Sequence, residues 1–459
     1  MRRFTLLLLA GVPSLLAAQG FGVYEHGTCT MGRAGVAAAA PCADGSAIFF
    51  NPAGLAGLAG KRMTAGTTFI QAMGEFNSDL TARETDLDNP LIPVPNVYLT
   101  YALGPKATLG VGIYAPYGLE TRWPTDGFDG RFLGYNTALR SIYFQPTIGY
   151  QIHDRIKVGI GFAYIYSDIE LHQRVDFSNQ VVPSPSVPPG TKFYQLGIPF
   201  GTDIADAELT ASGSGFAVNF GAIVELSDRL SIGGHWITRK TIQYEGDAAF
   251  TQILTQQVLP PGHPINLPPL CVPVAPCEID DLVAPFFIPG QPFAAGGATT
   301  EITLPPQGSL GLAYRASDAW SVMADWHYVV WGWFSTLPVD FSNPGTPDFQ
   351  LYEGYRDTHG FRLGVEHKHS EKYAFRAGYL YHGAAAPPET VTPLLPEGSR
   401  NEFTIGVGAK LTPKFNVDLG YQFIMQNDRR GRIHDLTVGN SGVYKFSAHL
   451  VGVGLSYTF

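Results

Sequence analysis

The sequence ends Val451-Gly452-Val453-Gly454-Leu455-Ser456-Tyr457-Thr458-Phe459, and this stretch decides how the rest is read. Large apolar residues hold every second position, with glycine, serine or threonine between them. Successive side chains of an extended strand point to opposite faces, so the stretch has one greasy face and one slim face. The dyad recurs upstream. Phe415, Val417, Leu419, Tyr421 and Phe423 alternate with Asn416, Asp418, Gly420 and Gln422. Phe403, Ile405, Val407, Ala409 and Leu411 alternate with Thr404, Gly406, Gly408 and Lys410, and Val158, Ile160, Phe162, Tyr164 and Tyr166 with Gly159, Gly161 and Ala163. Each run is about ten residues long, the length a tilted strand needs to cross the hydrocarbon layer.

A soluble sandwich alternates as well, but it does not usually end on its last residue. A terminal Phe with Tyr two before it resembles the signature that assembly machinery reads in outer-membrane barrels. Composition agrees. Charged residues make up 15% of the chain, against about 25% for a soluble domain, so part of the surface faces something other than water. Mean hydropathy is close to zero, which excludes a bundle of apolar helices, and no run of 18 apolar residues follows residue 18. Residues 1–18 read as an export signal: Arg2 and Arg3 precede the apolar run from Phe4 to Leu9, and Leu16, Ala17 and Ala18 offer a small-residue cleavage site. An exported chain with these strands is expected to close into a barrel, because closure removes unpaired edges in lipid. The expected location is the outer membrane of a Gram-negative cell.

Strand candidates fall near residues 61–76, 96–104, 107–118, 138–152, 156–173, 206–226, 229–247, 299–315, 319–337, 354–368, 372–383, 399–411, 414–427 and 446–459, fourteen in all. The expected fold is therefore all-β, a 14-stranded antiparallel transmembrane barrel over residues 61–459. Tight connections such as Ser227-Asp228 and Thr412-Pro413 alternate with the long 174–205, 248–298 and 428–445. Short turns belong on the periplasmic side and long loops outside. The long loops carry Pro-rich, partly apolar text, which suits a greasy external patch. Residues 19–60 do not alternate, and their Gly and Ala content suits a plug inside the lumen; a periplasmic tail is the alternative.

Cys29 with Cys42, and Cys271 with Cys277, pair by proximity, and export permits disulfides. Free thiols remain the alternative, and metal ligation is disfavoured because neither pair has further ligands at metal spacing. No cofactor is expected. A net charge of −9 argues against nucleic acid as a partner.

At this point the chain resembles the FadL/TodX family of outer-membrane transport proteins. The likeness runs through Gly20-Phe21, Glu25, Gly32-Arg33-Ala34 and Asn51-Pro52-Ala53, which looks like the family's hatch motif. It continues with Pro95-Asn96, Tyr117-Gly118-Leu119, Leu304-Pro305, Gly354-Tyr355-Arg356-Asp357 and Phe375-Arg376-Ala377-Gly378. The resemblance implies a lumen hatch, an external hydrophobic groove, a deeper pocket, and an inward kink of the third strand that opens a side exit. Hydrophobic small molecules, long-chain fatty acids above all, are the implied ligands, with a monomer surrounded by outer-membrane lipid and lipopolysaccharide.

Several residues could carry the transport. Ile223, Leu380, Ile424 and Leu450 are apolar on faces otherwise polar, so they either line a pocket or pack against the hatch. Pro116 cannot donate to a ladder, and with Tyr117 and Gly118 it marks either a gap in the wall or a strand end. Pro52 and Asn51 restrict the backbone, giving either a switching element or an ordinary tight turn. Arg376 is placed by alternation to meet a carboxylate, or to form a lumen ion pair. Asp168 and Glu170 make the outer end of the fifth strand acidic, which leaves room for neutral hydrocarbons as ligands. A lipid hydrolase is a competing class; no G-x-S-x-G or H-E-x-x-H occurs. A water-filled porin is the third.

Overall fold

The terminal dyad pairs with the first strand candidate. Gly442–Thr458 runs antiparallel to Lys61–Ser78, from Arg62 opposite Thr458 to Ser78 opposite Gly442, so the last strand meets the first. A computed structural model describes residues 20–182, 187–264, 271, 274–431 and 440–459; the expected export signal lies outside them. The strands are β1 (Lys61–Ser78), β2 (Ile92–Ala102), β3 (Ala107–Arg122), β4 (Asn136–His153), β5 (Ile156–Asp176) and β6 (Asp203–Glu225). They continue as β7 (Leu230–Ile237 and Lys240–Gln252), β8 (Gly296–Leu304 and Gln307–Arg315) and β9 (Trp320–Val329 and Thr336–Phe341). The last five are β10 (Thr358–Lys368), β11 (Tyr373–His382), β12 (Arg400–Lys410), β13 (Phe415–Gln426) and β14 (Gly442–Thr458). Each pairs antiparallel with its neighbours, giving a closed 14-stranded barrel.

Alternation turns the wall inside out relative to a soluble protein. Ile160, Phe162, Tyr164, Leu419, Val451 and Leu455 are exposed on the outside, while Thr68, Gln145, Asn219, Thr404 and Gln422 are buried inside. The inner polar groups are buried because residues 20–60 fill the bore. Gln145 Nε2 on β4 donates to Ile48 O at 2.7 Å, and Asn219 Nδ2 on β6 donates to Phe49 O at 2.8 Å. Asp325 on β9 accepts from the backbone of Ala37 and Ala38 at 2.8 and 3.0 Å, and Thr404 on β12 accepts from Ala34 at 3.0 Å. The plug's helical turns, Thr28–Met31 and Ala47–Phe50, are so short that they leave backbone groups unpaired, and strand side chains around them satisfy several. A Cβ on Gly159 would lie 2.2 Å from the carbonyl carbon of Pro52, so only glycine lets plug and wall meet there.

Three strands expected to be continuous are broken. β7 is interrupted at Thr238-Arg239, β8 at Pro305-Pro306 and β9 over residues 330–335. Two consecutive prolines give a ladder no donor. In β9 the break is a turn at Trp331–Trp333 that carries Trp331 fully into the core. The second strand begins at Ile92 rather than 96, and its early part, with Pro93 and Pro95, pairs only with β1.

Candidate functional site

The wall opens where β2 and β3 part. Their ladder stops at Val97 opposite Ile113, although β3 continues to Arg122. Next to that point the β3–β4 register shifts between Tyr114 and Tyr117, a bulge containing Ala115 and Pro116. The plug supplies the missing neighbour. Val23 N donates to Pro116 O at 2.9 Å and Gly118 N to Phe21 O at 3.0 Å, so residues 21–23 act as a short strand beside the kink. Phe21 anchors this segment edge-on among Trp331, Phe334 and Tyr117, with centroids 4.8, 5.4 and 6.0 Å away. Gly20 N reaches Glu397 Oε1 at 3.3 Å.

A cavity of about 630 Å³ lies at this junction. Its lining is mostly apolar: residues 20–23 of the plug, residues 90–95 on the β2 side, Ile113 to Ala115 and Tyr117 to Leu119 on β3, with Ile70, Leu139 and Leu395. Its polar groups are few, chiefly Glu25, Glu397, Arg400 and Glu402. Arg400 Nε lies 3.3 Å from Glu402 Oε1, so this half-buried cation of the lining already has a carboxylate. Burial pushes the carboxyls of Glu25 and Glu397 above the ordinary range, and Glu402 beside Glu25 adds to the effect.

The structure separates the residues singled out in the sequence. Ile424 and Leu450 line the cavity with Tyr117 and Gly118, and Pro116 gives its carbonyl to the plug. Leu380 packs instead against Ala34, Val36 and Ala39 of the plug. Ile223 is buried on β6, next to Ala222, whose carbonyl accepts from Asn51, and lies outside the cavity lining. Arg376 is held by Glu366 at 2.8 Å and Asp418 at 2.6 Å, with Arg33 of the plug 4.0 Å from Glu366. It is the lumen ion pair, and it does not line the cavity.

Asn51-Pro52-Ala53 forms a capped turn. Asn51 Oδ1 accepts from Ala53 N at 3.1 Å, and its Nδ2 donates to Ala38 O and Ala222 O at 2.6 and 3.2 Å. Cys29 pairs with Cys42 and Cys271 with Cys277. The reading of the sequence did not single out Arg400, although extending the β12 alternation back from Thr404 through Glu402 reaches it. Nor could it find residues 90–95, which do not alternate.

Outside, a second apolar recess of about 660 Å³ lies between the upper ends of β5 and β6 and the long loops, walled by Val175, Phe177, Phe193, Phe286 and Phe293. Phe177 and Phe193 stack with centroids 4.0 Å apart beside Val182, Ile198 and Val283 in a loop core of their own.

A closed barrel with a lipid-facing apolar exterior, plugged by its own N-terminal segment, defines an outer-membrane transport barrel. The model of the outer membrane protein transport protein family (OMPP1/FadL/TodX) matches residues 9–459. The chain belongs to that family, whose members carry hydrophobic compounds across the outer membrane and are not enzymes. It is 23% identical over 474 residues to the long-chain fatty acid transport protein of Salmonella typhi, covering 99% of both chains. It is 22% identical over 498 residues to outer membrane protein P1 of Haemophilus influenzae, covering 100% of both. In three dimensions it is similar to a Pseudomonas aeruginosa FadL homologue, with a TM-score of 0.77 at 17% identity over 96% of this chain and 100% of the other. It is also similar to the P. putida toluene transporter TodX, at 0.68 and 17% over 97% and 99%. These last two likenesses show the fold.

Proposed function

We propose that this protein takes up long-chain fatty acids by diffusion, collecting them in the external recess, holding them in the cavity beside the β3 kink, and releasing them sideways. The carrying observation is that one apolar cavity is bounded on one side by the wall gap between β2 and β3 and on another by residues 20–23 of the plug. Its volume falls within the roughly 300–1,000 Å³ of small-molecule sites. Burying ten methylenes is worth about 8 kcal/mol gross, enough to draw an acyl chain from water. Release requires weakening that hold. Residues 20–23 can do this by withdrawing from the wall, to which the Val23–Pro116 and Gly118–Phe21 ladder hydrogen bonds, the contact to Glu397 and the aromatic anchor of Phe21 fasten them. The Asn51 turn, tied to Ala38 and β6, is the fixed base about which the segment moves.

Neutral hydrocarbons are the second reading, favoured by the acidic groups around the cavity, since Glu25, Glu397 and Glu402 do not invite an anion. Uptake of palmitate, its methyl ester and toluene into vesicles carrying the purified protein tests both. Palmitate entry well above empty vesicles supports the fatty acid reading. Entry of toluene alone replaces it with the hydrocarbon reading, and a large steady ion conductance with no solute preference refutes both.

A further inference from the structure

Both arginines that line the cavity are already paired with a carboxylate: Arg140 Nη1 lies 3.2 Å from Asp168 Oδ2, and Arg400 Nε lies 3.3 Å from Glu402 Oε1. Its larger donors are committed too. The hydroxyls of Tyr114 and Tyr117 donate to Gln145 Oε1 and Pro305 O, and Gln426 Nε2 donates to Pro396 O at 2.8 Å. What the lining keeps for a ligand is acceptor capacity. It carries the carboxyls of Glu25, Glu120, Glu397 and Glu402 against those two paired arginines.

Two of the buried carboxyls have donors on both oxygens. Glu25 Oε2 accepts from Tyr24 N at 2.9 Å and its Oε1 from Gln422 Nε2 at 3.0 Å. Glu397 Oε2 accepts from Ala385 N and Ala386 N at 3.0 and 3.1 Å, and its Oε1 from Gly20 N at 3.3 Å. Glu402 on β12 differs. Only 2% of it is exposed, and Gln422 Nε2 donates to its Oε2 alone. Its Oε1 has no hydrogen bond among the described residues: Arg400 Nε and His382 Nδ1, at 3.3 and 3.4 Å, are within ion-pair reach but not aligned to donate. A buried acceptor left without a donor is uncommon and costs free energy. This one belongs to the wall of an apolar cavity.

We propose that the cavity recognises a neutral hydroxyl: Glu402 Oε1 accepts the O–H of a long-chain alcohol, or of a fatty acid in its protonated form, in preference to ethers, esters and ionised acids of equal length. The hydrogen bond is charge-assisted, and no proton changes hands. A ligand that covers Glu402 without offering a donor leaves the oxygen unpaired and cut off from water, which is how a polar site rejects an analogue lacking the hydroxyl. An ionised head group would meet carboxyls whose neighbouring arginines are already taken. A fatty acid leaving water for this cavity is itself drawn toward the protonated form, because an apolar surrounding disfavours the charge. The proposal rests on the uptake reading above and names the head group that it selects.

The test incubates the purified protein in detergent with equal amounts of 1-hexadecanol, its methyl ether, palmitate and hexadecane-1-sulfonate, an acid that stays ionised, and counts the retained ligands by mass spectrometry. The expected result is hexadecanol retained about tenfold over the ether, and palmitate about tenfold over the sulfonate. Glu402→Gln removes the charge at almost unchanged shape and takes the carboxylate from Arg400. It should bring the alcohol-to-ether ratio near one and raise retention of the sulfonate, a reversal that a merely loosened barrel would not give. Unchanged ratios in the folded variant overturn the role of Glu402 while leaving the uptake reading intact. If the variant does not assemble, the wild type decides: ether retained as well as the alcohol, or sulfonate as well as palmitate, overturns that role. Hexadecanol retained without palmitate supports the hydroxyl site with an alcohol as its ligand and overturns the fatty acid reading. Retention of none of the four overturns the uptake reading itself.

Discussion

Replacing Phe21 with alanine should unfasten the segment that closes the cavity. The Phe21 ring is buried in contact with Trp331, Phe334 and Tyr117, and truncating a buried Phe costs about 3–5 kcal/mol. The barrel does not depend on that ring, so the loss falls on the docking of residues 20–23. The hydrogen bonds that still fasten the segment include Val23 N to Pro116 O, Gly118 N to Phe21 O and Gly20 N to Glu397, each worth roughly 1 kcal/mol. At about 1.4 kcal/mol per factor of ten, the undocked population should rise by roughly a hundredfold to a few thousandfold. Hydrogen exchange of the amides of Val23 and Gly118, read by mass spectrometry in detergent, reports that opening directly. Exchange at both should accelerate by that factor, while Gly32, whose amide is bonded within the plug to Thr28 O, should stay as protected as in the wild type. Bound palmitate should leave faster in the same protein. Unchanged exchange at Val23 and Gly118 in an intact barrel would refute the assignment of residues 20–23 as the closure.

Pro116→Val restores a ladder donor at the bulge and should slow palmitate uptake without changing the heat-shifted gel mobility of the folded barrel; unchanged uptake counts against the sideways route. Leu450→Asn should weaken palmitate binding roughly tenfold to a hundredfold, because a side chain worth about 1.5–3 kcal/mol leaves the apolar lining. Leu380→Ala should leave binding alone and instead loosen the plug by about 2–5 kcal/mol, seen as faster exchange at Ala34. Arg376→Met leaves Asp418 without its cation and Glu366 with Arg33 alone, and should lower stability to urea by about 3–5 kcal/mol with little effect on bound ligand; a large loss of affinity would return Arg376 to the binding site.

The wall was legible because one physical rule, a period of two against lipid, acts on every strand at once. Val451 to Phe459 and Leu419 to Phe423 show it without help from tertiary context, and the antiparallel closure follows. The breaks in β7 and β9 were not legible, since Trp331 reads as one more apolar residue until the plug is in place to receive its ring. Pro305-Pro306 did carry a signal, the loss of two consecutive donors. Apolar residues on the inner face had two possible fates, and only the path of the plug decides between them: Leu450 meets the cavity and Leu380 meets Ala34. Arg376 looked like a ligand cation because the acids that hold it, Glu366 on the adjacent β10 and Asp418 on β13 beyond β12, come from other strands whose register the sequence does not print.

Photocrosslinking with palmitate carrying a diazirine near the end of its chain tests the central claim most directly. With the purified protein in detergent, label displaceable by unmodified palmitate should fall on residues 90–95, on Ala115 and Leu119, and on Ala448 and Leu450, the walls of the cavity at the β2–β3 gap. Label confined to the lipid-facing residues Ile148, Ile160 and Phe220, or label that palmitate does not displace, would contradict it.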